Sequence, residues 1–245
     1  ERFHGKEEVI GSIPICGSGI FIIIIGGFMS NLEAEVDFSV EKIDIASGFW
    51  IVKKFGMYFL GIKNTKGFVE LNVNEKVFNQ FKNMKSQPDS AKVEIEKKYL
   101  VKYNYIIKDY TKTTTIQQFY ILKNEDSSIR CRNLRGIDFN TFIFTFKKGK
   151  GIKKIEEEFE LTNNQFFDLK QINISNFISK TRYDIPIGDG LIAELDKFHG
   201  KFVDRIFVEV EFKTEKEAND FNPPSWFGED VTNNPRYLNI FMAFQ

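Results

Sequence analysis

The sequence predicts a mainly β protein with a few helices (α+β). A closed or nearly closed strand barrel with a charged interior fills residues 92–245, and a small β-rich segment precedes it. Three observations carry this. Charged side chains recur two residues apart in six segments between Glu94 and Glu211, and a seventh pairs Thr145 with Lys147. Short apolar runs in the first 86 residues are separated by Gly, Lys and Asn. A polar break at Gln87-Pro88-Asp89-Ser90 marks where one pattern gives way to the other. The expected organisation is therefore an N-terminal domain over 1–86, a linker over 87–91 and the barrel domain over 92–245.

In the first segment, Phe49-Trp50-Ile51-Val52, Met57-Tyr58-Phe59-Leu60-Gly61-Ile62 and Gly67-Phe68-Val69-Glu70-Leu71 read as consecutive strands with tight turns. Val77, Phe78, Phe81 and Met84 have the spacing of a short amphipathic helix within Val73–Met84. The alternating acids of Leu32–Asp37 fit a solvated strand face. No catalytic motif is found in this segment.

In the second, Glu94 and Glu96 flank Ile95, with Lys98 following at the same spacing. Arg130 and Arg132 flank Cys131, Thr145 and Lys147 flank Phe146, and Glu158 and Glu160 flank Phe159. Lys180 and Arg182, Glu194 and Asp196, and Glu209 and Glu211 repeat the pattern. Residues i and i+2 of a strand share a face, so each segment has one charged and one mostly apolar face. Two architectures fit: a sheet with its charged face in water, or a barrel with a charged interior. Against the first, solvent faces usually mix in Ser, Thr, Asn and Gln, whereas these positions are nearly all charged. The second needs cover for its apolar exterior, and Thr162–Ile172 and Thr214–Phe221 are candidates.

Buried charges need partners. An acidic excess leaves carboxylates for a hard cation, Mg²⁺ or Mn²⁺. The basic set needs an anion, and a phosphate chain supplies several charges in line. A tunnel holding a polyanion against a basic wall, with a metal on an acidic wall, satisfies both.

The 245 residues are 42% hydrophobic and 28% charged, and 34 Lys and Arg balance 34 Asp and Glu. Zero net charge argues against a surface that coats nucleic acid. The window Ile10–Met29 is long enough to span a bilayer, but Gly11, Pro14, Gly17, Gly19, Gly26 and Gly27 interrupt it. Its Ile20–Ile25 core reads as a buried strand, and no membrane association is expected. Cys16 and Cys131 read as reduced thiols of a cytoplasmic chain, with a single disulfide left open. The chain opens on Glu1 rather than Met, so no targeting signal is read at that end.

The charged segments also carry a resemblance. Glu94-Ile95-Glu96-Lys97-Lys98 resembles the ExExK signature that opens the CYTH domain, or triphosphate tunnel metalloenzyme fold. Later segments follow in family order: Gln118-Phe119-Tyr120-Ile121 ("QGYL"), Ile129-Arg130-Cys131-Arg132 ("LRLR"), Phe144-Thr145-Phe146-Lys147 ("LTIK"), Glu158-Phe159-Glu160 ("EYE"), Lys180-Thr181-Arg182-Tyr183 ("KTRY"), Glu194-Leu195-Asp196-Lys197-Phe198 ("ELDVF") and Val208-Glu209-Val210-Glu211-Phe212 ("VEVEF"). Pro223–Thr232 and Arg236-Tyr237-Leu238-Asn239 resemble the tail of the short bacterial members.

The resemblance implies an eight-stranded antiparallel β tunnel with covering helices. It implies divalent-metal-dependent hydrolysis of a small anionic triphosphate, most of all inorganic tripolyphosphate. Thiamine triphosphatase, adenylate cyclase and a non-catalytic polyphosphate or nucleotide sensor are the alternatives on this fold. By motif matching, Lys98, Arg130, Arg132, Lys147, Lys180 and Arg182 would hold the phosphate chain, with Lys98, Lys147, Lys180 and Arg182 catalytic. Glu94, Glu96, Glu209 and Glu211 would bind metal, with Glu158, Glu160 and Asp196 nearby. Two departures stand out: Glu156 where the family often has arginine, and Phe119 for the glycine of "QGYL". The first 86 residues have no counterpart in the short members, and the helical CHAD domain of longer bacterial members is not seen. His199 reads as a turn residue, His4 carries no role, and Trp226 and Phe227 read as a packing plug.

Overall fold

The computed structural model describes residues 39–87, 91–102 and 107–245. The Ile10–Met29 window, His4, Cys16, Leu32–Asp37 and the linker residues Pro88, Asp89 and Ser90 lie outside them.

The first sheet is an antiparallel meander of β1 (Val40–Ala46), β2 (Phe49–Lys54), β3 (Met57–Asn64) and β4 (Gly67–Val73), in that order. The three apolar runs of the sequence supply β2, β3 and β4. The β2–β3 turn puts Phe55 at φ 53° and Gly56 at φ 71°, the left-handed pair that tight hairpins need. Helix α1 (Glu75–Ser86) follows. The Asn74 side chain caps it by accepting from Val77 N–H at 3.0 Å, and Val77, Phe78, Phe81 and Met84 form its buried face.

Eight further strands close a barrel: β5 (Val93–Val101), β6 (Lys112–Lys123), β7 (Ser127–Arg135), β8 (Asn140–Lys148), β9 (Lys153–Leu161), β10 (Ile178–Gly188), β11 (Leu191–Phe198) and β12 (Ile206–Glu211). The order runs β12-β11-β10-β6-β7-β8-β9-β5, and antiparallel pairing of β12 with β5 shuts the ring. The seams are unequal. β7 and β8 share nine register pairs, whereas β5 and β9 share three. A short strand β13 (Phe227–Asp230) lies beside the second half of β5.

Strand parity sorts the side chains. Outward-facing Phe119, Cys131, Phe144 and Phe146 are buried in one apolar cluster with Phe49 and Ile51 of β2 and Phe78 and Phe81 of α1. The Phe81 ring centroid lies 6.2–6.3 Å from those of Phe144, Phe146 and Phe159. Each such side chain stabilises the fold by roughly 1.5–3 kcal/mol on burial. The four-stranded sheet, α1 and the barrel thus share a core, inside one compact unit. The two expected covering segments are helices: α2 (Asn163–Gln171), opened by a Thr162–Gln165 capping box, and α3 (Glu215–Asp220), capped by Thr214. Helix α4 (Asn239–Ala243) ends the chain, with Met242 buried against Phe198 and Phe207.

Phe227 packs among Tyr99, Phe221 and Trp226, and His199 precedes a short 3-10 turn, its Nε2 2.8 Å from Thr181 Oγ1. Cys131 is a free thiol that burial pushes upward in pKa. No helix among the described residues is long and apolar enough to cross a membrane.

Candidate active site

The inward faces of the strands surround a cavity of about 860 Å³. Five of the six basic residues singled out by sequence, Lys98, Arg130, Arg132, Lys147 and Arg182, reach its wall. So do Glu94, Glu96, Glu158, Glu194, Glu209 and Glu211. Lys180 and Asp196 do not. They form an ion pair that is 2% and 1% exposed, and Asp196 also takes two hydrogen bonds from Arg182, at 2.8 and 2.7 Å. Glu160 is exposed and stands off the cavity.

Glu160 marks a difference of register from the sequence reading. The interior carboxylates of β9 are Glu156 and Glu158, separated by Glu157, with Lys154 two residues earlier on the same face. Glu156, Glu158 and Glu160 share one strand parity, and the end of the barrel decides which two lie inside. This register also gives β9 a base ahead of its acidic pair, where the sequence match had placed Glu156. Strand parity puts Lys154 and Glu156 on the same face as Glu158 and Glu160, but does not say which of the four lie inside. Tyr120 was missed as well. It is buried at the wall two residues from Gln118, and its hydroxyl accepts a long 3.4 Å hydrogen bond from the Gln118 amide.

The charges are cross-linked. On one side, Lys98 Nζ donates to Glu209 at 2.9 Å, and Arg182 contacts Glu194, Asp196 and Glu209. On the other, Lys147 Nζ donates to both oxygens of Glu94 at 2.7 and 2.6 Å and pairs with Glu156 at 2.8 Å. Lys154 pairs with Glu96. Glu158 accepts from Arg132 and from the Thr145 hydroxyl. Arg130 is held more loosely: its nearest carboxylates, on Glu158 and Glu156, are 3.9 and 4.0 Å away. The buried Nε atoms of Arg130 and Arg132 have no hydrogen-bond partner among the described residues.

Burial, opposed by Lys147 and reinforced by Glu156 and Glu96, pushes Glu94 up to about 8. Burial would also raise Glu156. The hydrogen bond from Glu94 and the charges of Lys147 and Arg130 outweigh it and hold Glu156 well below the usual carboxylate range. The two carboxylates are thus driven apart beside Lys147, Glu94 upward and Glu156 downward. Glu211 is raised by burial and then by Glu96 and Glu156. Glu194 is pushed up to about 6, by burial first, with Arg182 opposing. Burial lowers Lys180 to about 8 against the pull of Asp196.

This donor set suits a hard cation. Carboxylates crowd one wall, and their mutual repulsion helps to raise Glu94 and Glu211, a repulsion that a divalent ion would relieve. Among the described residues, no three acidic, histidine or cysteine side chains converge into a ready-made metal cage. Mg²⁺ does not need one, because it is commonly held by one or two carboxylates, water and substrate phosphate.

No family model matches the chain. An inorganic triphosphatase of Nitrosomonas europaea is 36% identical over 129 residues, which span 52% of this chain and 83% of that protein. An inorganic triphosphatase of Acetivibrio thermocellus is 32% identical over 149 residues, spanning 60% of this chain and 90% of that protein. A crystal structure of an inorganic triphosphatase aligns over 62% of this chain and 95% of its own, at 32% identity and a TM-score of 0.46.

Proposed function

Because this chain belongs to the CYTH-type family of inorganic triphosphatases, we propose that it hydrolyses inorganic tripolyphosphate to pyrophosphate and phosphate inside the barrel, with Mg²⁺ or Mn²⁺ bound. One observation carries the reading: five buried or half-buried cations converge on one cavity and are interleaved there with carboxylates.

Water attacks a terminal phosphorus, the bridging P–O bond breaks, and pyrophosphate leaves with that bond's electron pair. Such a reaction needs positioning and charge neutralisation more than covalent chemistry. Arg130 and Arg132 have spare buried donors and grip non-bridging oxygens bidentately. Lys98, Lys147 and Arg182 add charge along the chain of phosphates. Lys180 and Asp196 act from behind, by holding Arg182 in place. A divalent ion would be held by Glu94, Glu96, Glu209 and Glu211, and when bound it supplies charge neutralisation at phosphate oxygens. Glu211 stands at the cavity wall with no ion pair among the described residues. Left free by the cation, it would orient the attacking water and take its proton.

Substrate entry displaces internal partners. A phosphate oxygen arriving at Lys147 takes the place now held by Glu94, and Glu94 is released toward a cation. Carboxylates and bases thus act as placeholders for the two ligands, which keeps a highly charged interior satisfied when empty.

The test is phosphate release from tripolyphosphate, ATP and thiamine triphosphate in parallel, with Mg²⁺, with Mn²⁺ and with chelator. Metal-dependent release from tripolyphosphate, with little from the other two, is expected. Formation of cyclic AMP from ATP, or tight tripolyphosphate binding without turnover, would point instead to a cyclase or a sensor.

A further inference from the structure

Glu157 stands between the two interior carboxylates of β9 and points the other way. Outside the barrel it meets the aromatic layer, yet it is a carboxylate and only 6% exposed. A buried carboxylate is costly unless its oxygens are hydrogen-bonded. Here each oxygen has its own donor. The Gln80 side-chain amide of α1 donates to one and also reaches the main-chain carbonyl of Glu158 at 3.3 Å. The backbone N–H of Lys92, just before β5, donates to the other at 3.4 Å. Lys92 in turn accepts from Glu156 N–H at 3.0 Å.

These contacts lie behind the weakest seam of the ring. β5 and β9 share only the pairs Val93–Ile155, Glu94–Lys154 and Ile95–Lys153. Inside that seam stand Glu94, Glu96 and Glu156, with Lys147 and Lys154 bridging them. Strands that carry so much of the acidic wall thus have little mutual hydrogen bonding. Site geometry depends on supporting contacts of this kind.

We propose that Gln80 and Glu157 are positioning residues, through which helix α1 locks β9 to β5 and fixes the acidic wall of the tunnel. The proposal rests on reading that cavity as the triphosphate site. It gives the layer that precedes the barrel a part in catalysis, beyond covering apolar surface.

The test compares Gln80→Leu, Glu157→Gln and Phe78→Leu in the full chain. Phe78 is buried in the same helix, and its ring centroid lies 5.1 Å from that of Tyr58 of β3, tilted by 46°. Three quantities are read: amide hydrogen exchange by mass spectrometry, the denaturation midpoint, and kcat and KM for tripolyphosphate. In Gln80→Leu, exchange over β5 and β9 is expected to rise about tenfold with β10 and β11 unchanged. Its kcat is expected to fall about tenfold with KM within about twofold, because misplaced groups cost turnover. Glu157→Gln still accepts from Lys92 and pairs with the Gln80 amide, so it keeps most of its kcat. Phe78→Leu lowers the midpoint and leaves kcat alone. Unchanged exchange over β5 and β9 in Gln80→Leu would overturn the proposal. So would a kcat loss in Phe78→Leu as large as that in Gln80→Leu at equal loss of stability. If the unaltered protein releases no phosphate, the functional reading fails, while the exchange data still decide whether the lock exists.

Discussion

The two sides of the tunnel use the same residue types to different ends. Around β10, β11 and β12, Lys180, Asp196 and Glu209 are buried, Arg182 is half-buried, and the four are bound to one another. Asp196 alone receives Lys180 and two donors of Arg182. Around β5, β7, β8 and β9 the network is incomplete. Arg130 stands 3.9 and 4.0 Å from its carboxylates, beyond hydrogen-bond reach, two guanidinium Nε atoms have no partner among the described residues, and burial pushes Glu94 up to about 8. A saturated network holds its shape without a ligand, and an unsaturated one is completed by a ligand. The first side is mainly a frame, from which Arg182, Glu209 and Glu211 reach the cavity, and the second is where most contacts to phosphate and cation are expected.

The largest effect that would break this contrast lies in the frame. Asp196→Ala leaves Lys180 and Arg182 without their shared carboxylate and should destabilise the protein by about 3–5 kcal/mol, read as a lower urea midpoint. Arg130→Ala should do the reverse. Its turnover on tripolyphosphate is expected to drop about a hundredfold, as when an electrostatic stabiliser is removed, with the midpoint nearly unmoved. A large loss of stability in Arg130→Ala would erase the distinction. Coupling between the ligands sharpens it further. Mn²⁺ binding followed by calorimetry should tighten about tenfold when pyrophosphate is present, and pyrophosphate binding should tighten equally with Mn²⁺, since linkage is reciprocal. Independent affinities would remove the placeholder role of Glu94 and its neighbours. The smallest effect concerns β9. Glu160→Gln should change turnover by less than about twofold, whereas Glu156→Gln, inside the cavity, should lower it about tenfold.

Strand parity made most of this site legible in the sequence. Lys98, Arg130, Arg132, Lys147 and Arg182 lie inside because a period of two leaves them no other face once their apolar neighbours are buried. Parity could not say how deep each charge lies. Lys180 and Arg182 look equivalent along the chain, yet one is sealed against Asp196 and the other reaches the cavity. Nor could parity choose among Glu156, Glu158 and Glu160, because the choice depends on where the barrel ends. The strands of the first sheet and the helix after it were readable from their apolar spacing. Their packing on β8 and β9 was not, since an apolar face announces a need for cover without naming what supplies it. Gln80 and Glu157 illustrate the same limit. Each looks like an ordinary polar surface residue until the fold places them together.

The most direct test of the central claim is phosphate release from tripolyphosphate, with Mg²⁺, by the unaltered protein and by Arg130→Ala at equal folded concentration. Fast metal-dependent release by the first and a loss of about a hundredfold in the second is the predicted result. No release by folded protein, or equal release by both, would contradict the assignment of this cavity as the site of triphosphate hydrolysis.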